Sequence, residues 1–123
     1  MAFQKDEQLK AVEKYIFENI YKDKRHRDWG FVGTTSFDGG DQVLYKFNVA
    51  PWDVVRGIFV IFEIHVLVDR HGQILDKAVY DNRQKKLDPP VLTERIIDVY
   101  LKQQADRDMR QNFVNQNVII RSM

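Results

Sequence analysis

Downstream of residue 54, apolar and polar residues alternate with a period of two. Ile58, Val60, Phe62, Ile64, Val66 and Val68 occupy every second position. Successive side chains of a strand point to opposite faces, so this spacing predicts one long strand over about 54–68 with a wholly apolar core face. Its other face carries Phe59, Ile61, Glu63, His65 and Leu67. DRHGQ, at 69–73, then reads as a type I turn with Gly72 left-handed, and 73–80 as the return strand. Upstream, 29–37 and 42–49 alternate on either side of DGGD. Gly39 and Gly40 suit the positive φ of a type I′ turn, which sets Ser36 against Val43, Thr34 against Tyr45 and Val32 against Phe47. Pro51 in APWD ends that strand, because proline cannot donate to a ladder.

Both ends of the chain change to helical spacing. Leu9, Val12, Ile16 and Ile20, with Tyr15 beside them, predict an amphipathic helix over 4–22. KDKRHRD is a polar linker after it. DNRQKKLDPP, at 81–90, is a loop whose Asp88 caps a second helix and whose Pro89 takes its first position. From 91 to 123 there is no glycine or proline. Leu92, Ile96 and Val99 form one stripe there; Ile97, Leu101, Ala105, Met109 and Phe113 form another. The spacing predicts one long helix to about Phe113, with QQADRD as the place where it would divide in two. Val118, Ile119 and Ile120 follow as a short apolar strand or anchor.

The resulting order defines an α+β protein. It has an N-terminal helix, a four-stranded antiparallel sheet of two hairpins and a long C-terminal helix, with the helices on one face. Such an order is compatible with cystatin-like or cone-shaped sheet-and-helix folds, and no family motif accompanies it. At 123 residues the chain reads as a single domain, 1–123. Nineteen basic and eighteen acidic residues leave a net charge of +1. That balance gives no overall steering toward nucleic acid or an anionic membrane. The absence of cysteine rules out disulfides, thiolate metal sites and cysteine nucleophiles. No apolar stretch has the length of a membrane span, and MAFQKDEQLK lacks a signal-type apolar segment. A cytoplasmic protein with no cofactor is expected.

One polar spot interrupts the apolar pattern. With Asp69 opposite Gln73, Leu67 opposes Leu75, His65 opposes Lys77 and Glu63 opposes Val79. Glu63, His65 and Lys77 then form a cluster on the outer face of the sheet. As a solvated ion pair it contributes ~0–1 kcal/mol. As a pocket it makes Glu63, His65 and Lys77 the candidate catalytic residues, with Glu63 orienting His65 as a general base. Glu-x-His supplies only two metal ligands, and His26 and His71 fall in a linker and a turn tip. Trp29, Phe31 and Phe37 share the outer face of the first hairpin. Lys46 is their one basic neighbour, which suits core or subunit contact better than base stacking. The basic clusters KDKRHR, 22–27, and RQKK, 83–86, lie in loops without a groove-reading helix, so nucleic acid is a third-ranked partner. HRDWG lacks the other parts of a kinase, and DGGD lacks the spacing of a calcium loop.

Phe59, Ile61, Leu67 and Leu75 on the outer face, with Met109 and Phe113 on the last helix, exceed what one sheet face and two helices hide. Large apolar patches on small proteins mark interfaces. The expected function is therefore a non-enzymatic binding or assembly module, acting as a homodimer and able to hold a further protein partner. The alternative is a small-ligand-binding domain or acid–base enzyme of cone-like α+β type using Glu63 and His65.

Overall fold

The computed structural model describes residues 2–25 and 29–122, with side chains from Glu7 to Gln111 within those spans. The chain runs through α1 (Ala2–Asn19), β1 (Trp29–Phe37), β2 (Gln42–Val49), β3 (Trp52–Asp53), β4 (Ile58–Phe59), β5 (Phe62–Asp69), β6 (Ile74–Tyr80) and α2 (Glu94–Ser122). Four strands form one antiparallel sheet in the order β1-β2-β5-β6. The α+β architecture expected from the alternation is the one observed.

The even face of β5 is the core, as its pattern requires: Phe62, Ile64, Val66 and Val68 are fully buried. Val12 and Ile16 of α1, Ile20 just after it, and Ile97 and Leu101 of α2 complete the cluster. Phe17 of α1 meets Trp29 edge-on at 5.0 Å, and Tyr100 of α2 meets Phe62 edge-on at 5.1 Å. At the other end of α1, the Tyr45 hydroxyl donates to Gln8 Oε1 at 2.6 Å. The two helices are also tied by their flanking segments. Leu92 N donates to Ile20 O at 2.7 Å, and Lys22 N donates to Leu92 O at 2.9 Å. Beside that clasp, Arg25 grips the buried Asp23 carboxylate with Nε and Nη2 at 3.0 and 2.9 Å. Its Nη2 also reaches Asp98 Oδ1 of α2 at 2.9 Å. Those two carboxylates raise the Arg25 pKa further above its already high ordinary value.

DGGD forms the expected turn. Gly39 and Gly40 both have positive φ, and Asp41 N donates to Asp38 O at 3.2 Å. Ser36 and Thr34 pair as expected, but Val32 is an extra residue on β1, and Phe31 rather than Val32 opposes Phe47. The bulge switches faces. Trp29 and Phe31 therefore pack on Phe47, on the core side, whereas Phe37 stays on the outer side beside Leu44 and His65.

The strand expected over 54–68 is shorter. Asp53 accepts from Arg56 N at 3.1 Å, Gly57 N donates to Asp53 O at 2.8 Å, and Gly57 has φ 66°. These bonds close a tight turn, so β3 and β4 make a separate two-stranded hairpin and β5 begins at Phe62. The last helix also differs at both ends. A second proline follows Pro89 and disfavours helical backbone there. The cap is Thr93 instead, whose Oγ1 accepts from Ile96 N at 3.2 Å. The helix then continues to Ser122 without a break at QQADRD, and residues 118–120 belong to it.

Candidate functional site

The cluster of Glu63, His65 and Lys77 does not form. Asp69 N does donate to Gln73 O, at 3.0 Å, but Leu75 is an extra residue on β6. Beyond it the register moves by one: Leu67 opposes Asp76, His65 opposes Ala78 and Glu63 opposes Tyr80. Lys77 then opposes Val66 on the helix side, where its Nζ donates to the Tyr15 hydroxyl at 2.9 Å. A bulge inserts a residue without disturbing the apolar count, so alternation alone does not reveal it.

Glu63 and His65 remain neighbours on the outer face, with Oε2 and Nε2 3.6 Å apart. That separation is an ion-pair distance rather than a hydrogen bond. The His65 side chain is 21% exposed and that of Glu63 47%. Burial lowers the His65 pKa, the charge of Glu63 pushes it back up, and Lys46 lowers it again; the net direction is downward. The Tyr80 ring lies 4.9 Å from the imidazole.

His65 lines a depression of about 350 Å³ between Phe37, Leu44, Leu67, Ala78 and Tyr80, with Gln42, Asp76 and Lys86 adding polar atoms. Glu63 lies in a separate depression of about 310 Å³ with Phe59, Ile61 and Asp81. The geometry thus offers a largely neutral imidazole in an apolar groove, able to accept a proton or a hydrogen bond. Among the described residues no group of three or more histidine or acidic side chains could hold a metal ion.

Asp81 is a polar feature that the alternation left unmarked. It is buried, and its Oδ1 accepts from the backbone N–H groups of Arg83 and Lys85 at 2.9 and 2.8 Å. Its Oδ2 accepts from the Tyr100 hydroxyl at 3.0 Å. Burial alone would raise its pKa, but these donors more than offset that and hold it below the usual carboxylate range. The aspartate therefore orders the RQKK loop against α2. The only trace of it in the sequence is that this aspartate opens the turn-forming DNRQ.

The basic clusters are divided by the fold. Arg25 is engaged by carboxylates, and His26 and Arg27 lie outside the described residues. Arg83 meets Arg107 and Arg110 of α2, with Asp106 among them, around a depression of about 280 Å³.

The proposed interface residues are similarly divided. Phe59, Ile61 and Leu75 are exposed, Leu67 is half-buried in the groove, and Met109 is 70% exposed. The Phe113 side chain lies outside the described residues. The stripe of Ile97, Leu101 and Ala105 is buried in the chain's own core, so the surplus of that stripe begins only after Ala105, while Val99 of the other stripe is exposed. A larger apolar feature was missed: the β3–β4 hairpin stacks Trp52 on Phe59 at 4.9 Å and presents Val54 and Val55 at its tip, 85% and 96% exposed.

Fold and surface together define a small antiparallel α+β protein with one polar-edged groove and a prominent apolar hairpin. Comparison with known proteins gives no significant match to a family, to a curated protein or to a solved structure. Among the described residues no helix is long and apolar enough to cross a membrane.

Proposed function

We propose that the chain is a non-enzymatic binding and assembly module that self-associates as a homodimer in the cytoplasm and holds a protein partner. The observation that carries this reading is the apolar hairpin formed by Trp52, Val54, Val55 and Phe59, continued by Ile61. Fully burying an exposed side chain of this kind contributes ~1.5–3 kcal/mol. Val54 and Val55 are almost fully exposed, whereas Trp52, Phe59 and Ile61 are already more than half buried and add less than half of that each. Together they reach the lower part of the roughly 4–15 kcal/mol that association costs, so a surface of this kind can sustain a complex. Light scattering at micromolar concentration tests self-association. Twice the chain mass is expected, and a clean single-chain mass overturns the homodimer.

A second reading has its own observation. The groove around His65 has a volume at the low end of the roughly 300–1,000 Å³ usual for small-ligand sites. In this reading the neutral imidazole hydrogen-bonds a small, mainly apolar ligand or acts on it as a base. NMR titration checks the environment of the ring: the His65 midpoint falls below about 6.5, and small ligands shift its resonances. A midpoint at the ordinary histidine value, unmoved by ligands, rejects the groove as a site.

A further inference from the structure

The two edges of the sheet are treated differently. The C-terminal end of β6 is covered by the loop that follows it: Leu87 N donates to Val79 O and Asp81 N donates to Lys85 O, both at 2.8 Å, with a bridge between Tyr80 and Lys86. The rest of that edge carries the charges of Asp76 and Lys77 and the bulge at Leu75. β1 forms the opposite edge, and no described segment hydrogen-bonds along its far side. Unpaired edges invite further strands, and proteins usually blunt them with charged residues, proline or bulges. β1, WGFVGTTSF, contains no charge and no proline. Its one blunting device is the bulge at Val32, which leaves 33–37 as a regular run.

We infer that this run pairs antiparallel with the same run of a second copy, across a two-fold axis through Thr35. The inference rests on the self-association proposed above, assigns it to the sheet edge rather than to the β3–β4 hairpin, and leaves that hairpin to the protein partner. Three features of the run point to an identical strand as the occupant. Being uncharged, it brings no like charges together when it meets itself. The two-fold register sets Thr35 opposite the partner's Thr35 and Thr34 opposite the partner's Ser36, and such hydroxyl pairs favour cross-strand contact. The same register sets Gly33 opposite the partner's Phe37. A Cβ placed on Gly33 would meet nothing within 4 Å, and Phe37 is 44% exposed. An aromatic ring facing a glycine across strands covers the backbone that the glycine leaves open. The product is one continuous sheet built from two four-stranded halves. The β3–β4 hairpin lies outside this contact and stays free for a protein partner.

Charge placed on the edge tests the pairing. A Thr34→Lys/Thr35→Lys/Ser36→Lys variant and its glutamate counterpart should each self-associate at least about tenfold more weakly than wild type, because like charges oppose one another in every pair. An equimolar mixture of the two should restore dimers. A second measurement does not depend on those variants folding. The chain has no cysteine, so Thr35→Cys should yield a disulfide-linked dimer under mild oxidation, whereas Val55→Cys at the hairpin tip should not. If wild type is dimeric but the lysine variant dimerises unchanged, or the two cysteines cross-link equally, the edge pairing is wrong and self-association stands elsewhere. If wild type itself is monomeric, both fail together.

Discussion

Phe62 has no exposed surface and sits where the sheet meets α2, with Tyr100 packed on its ring. Removing that ring leaves a cavity lined by groups that cannot collapse far. Phe62→Ala should therefore cost ~3–5 kcal/mol in denaturant unfolding. Asp81 gives a pH signature. Its pKa is lower folded than unfolded, so the unfolded chain takes up the proton first as pH falls. The stability it contributes is present above about pH 4, the ordinary aspartate range, and is lost as pH drops through the lower folded value. Asp81→Asn should accordingly destabilise the protein at neutral pH, with the gap from wild type narrowing in acid. Urea melts at several pH values measure it. His65 acts in the same direction at higher pH: burial disfavours its protonated form, so its contribution falls as pH drops below about 6.5.

At the level of elements, short-range hydrogen bonds override the longer periodicities. A single strand over 54–68 would run through 54–57, yet Asp53 and Gly57 turn the chain there, because a tight turn satisfies local backbone groups that a strand would leave to a distant partner. The long C-terminal helix depends on Thr93 in a comparable way. Its hydroxyl supplies an acceptor for one of the first-turn N–H groups. Thr93→Ala should cost ~0.5–2 kcal/mol, seen as a lower unfolding midpoint with unchanged far-ultraviolet dichroism at room temperature. Beyond Ala105, residues 106–122 extend this helix by ~25 Å. The described side chains of 106–111 are exposed apart from half-buried Arg107, so these six residues gain little from the core.

For the whole molecule, the division of apolar surface links fold to the proposed assembly. One sheet face and two helices make a continuous core, while the free β1 edge and the β3–β4 hairpin remain outside it. A folded dimer in equilibrium with unfolded monomers has a concentration-dependent melting temperature. Raising the protein concentration a hundredfold should raise Tm measurably, and a Tm independent of concentration would argue for a folded monomer.

Alternation and turn chemistry in the sequence by themselves determined the helix–hairpin–hairpin–helix order, the DGGD and DRHGQ turns and the even core face of β5. Each of these arises from local φ/ψ preference or from a period of two or 3.6. They also marked Glu63 and His65 as polar residues on an otherwise apolar strand. Which groups join them was decided by the tertiary structure. Val32 and Leu75 are both apolar and both suit a strand, so nothing in their chemistry announces that each is an unpaired extra residue. Yet each one switches the faces of the strand residues on its two sides relative to strict alternation. Lys77 thereby reaches Tyr15, and Phe37 lines the groove of His65 while Phe31 packs on the core side. Bulges are settled by how twisted strands fit against the helices that cover them, and that fit is a property of the assembled chain.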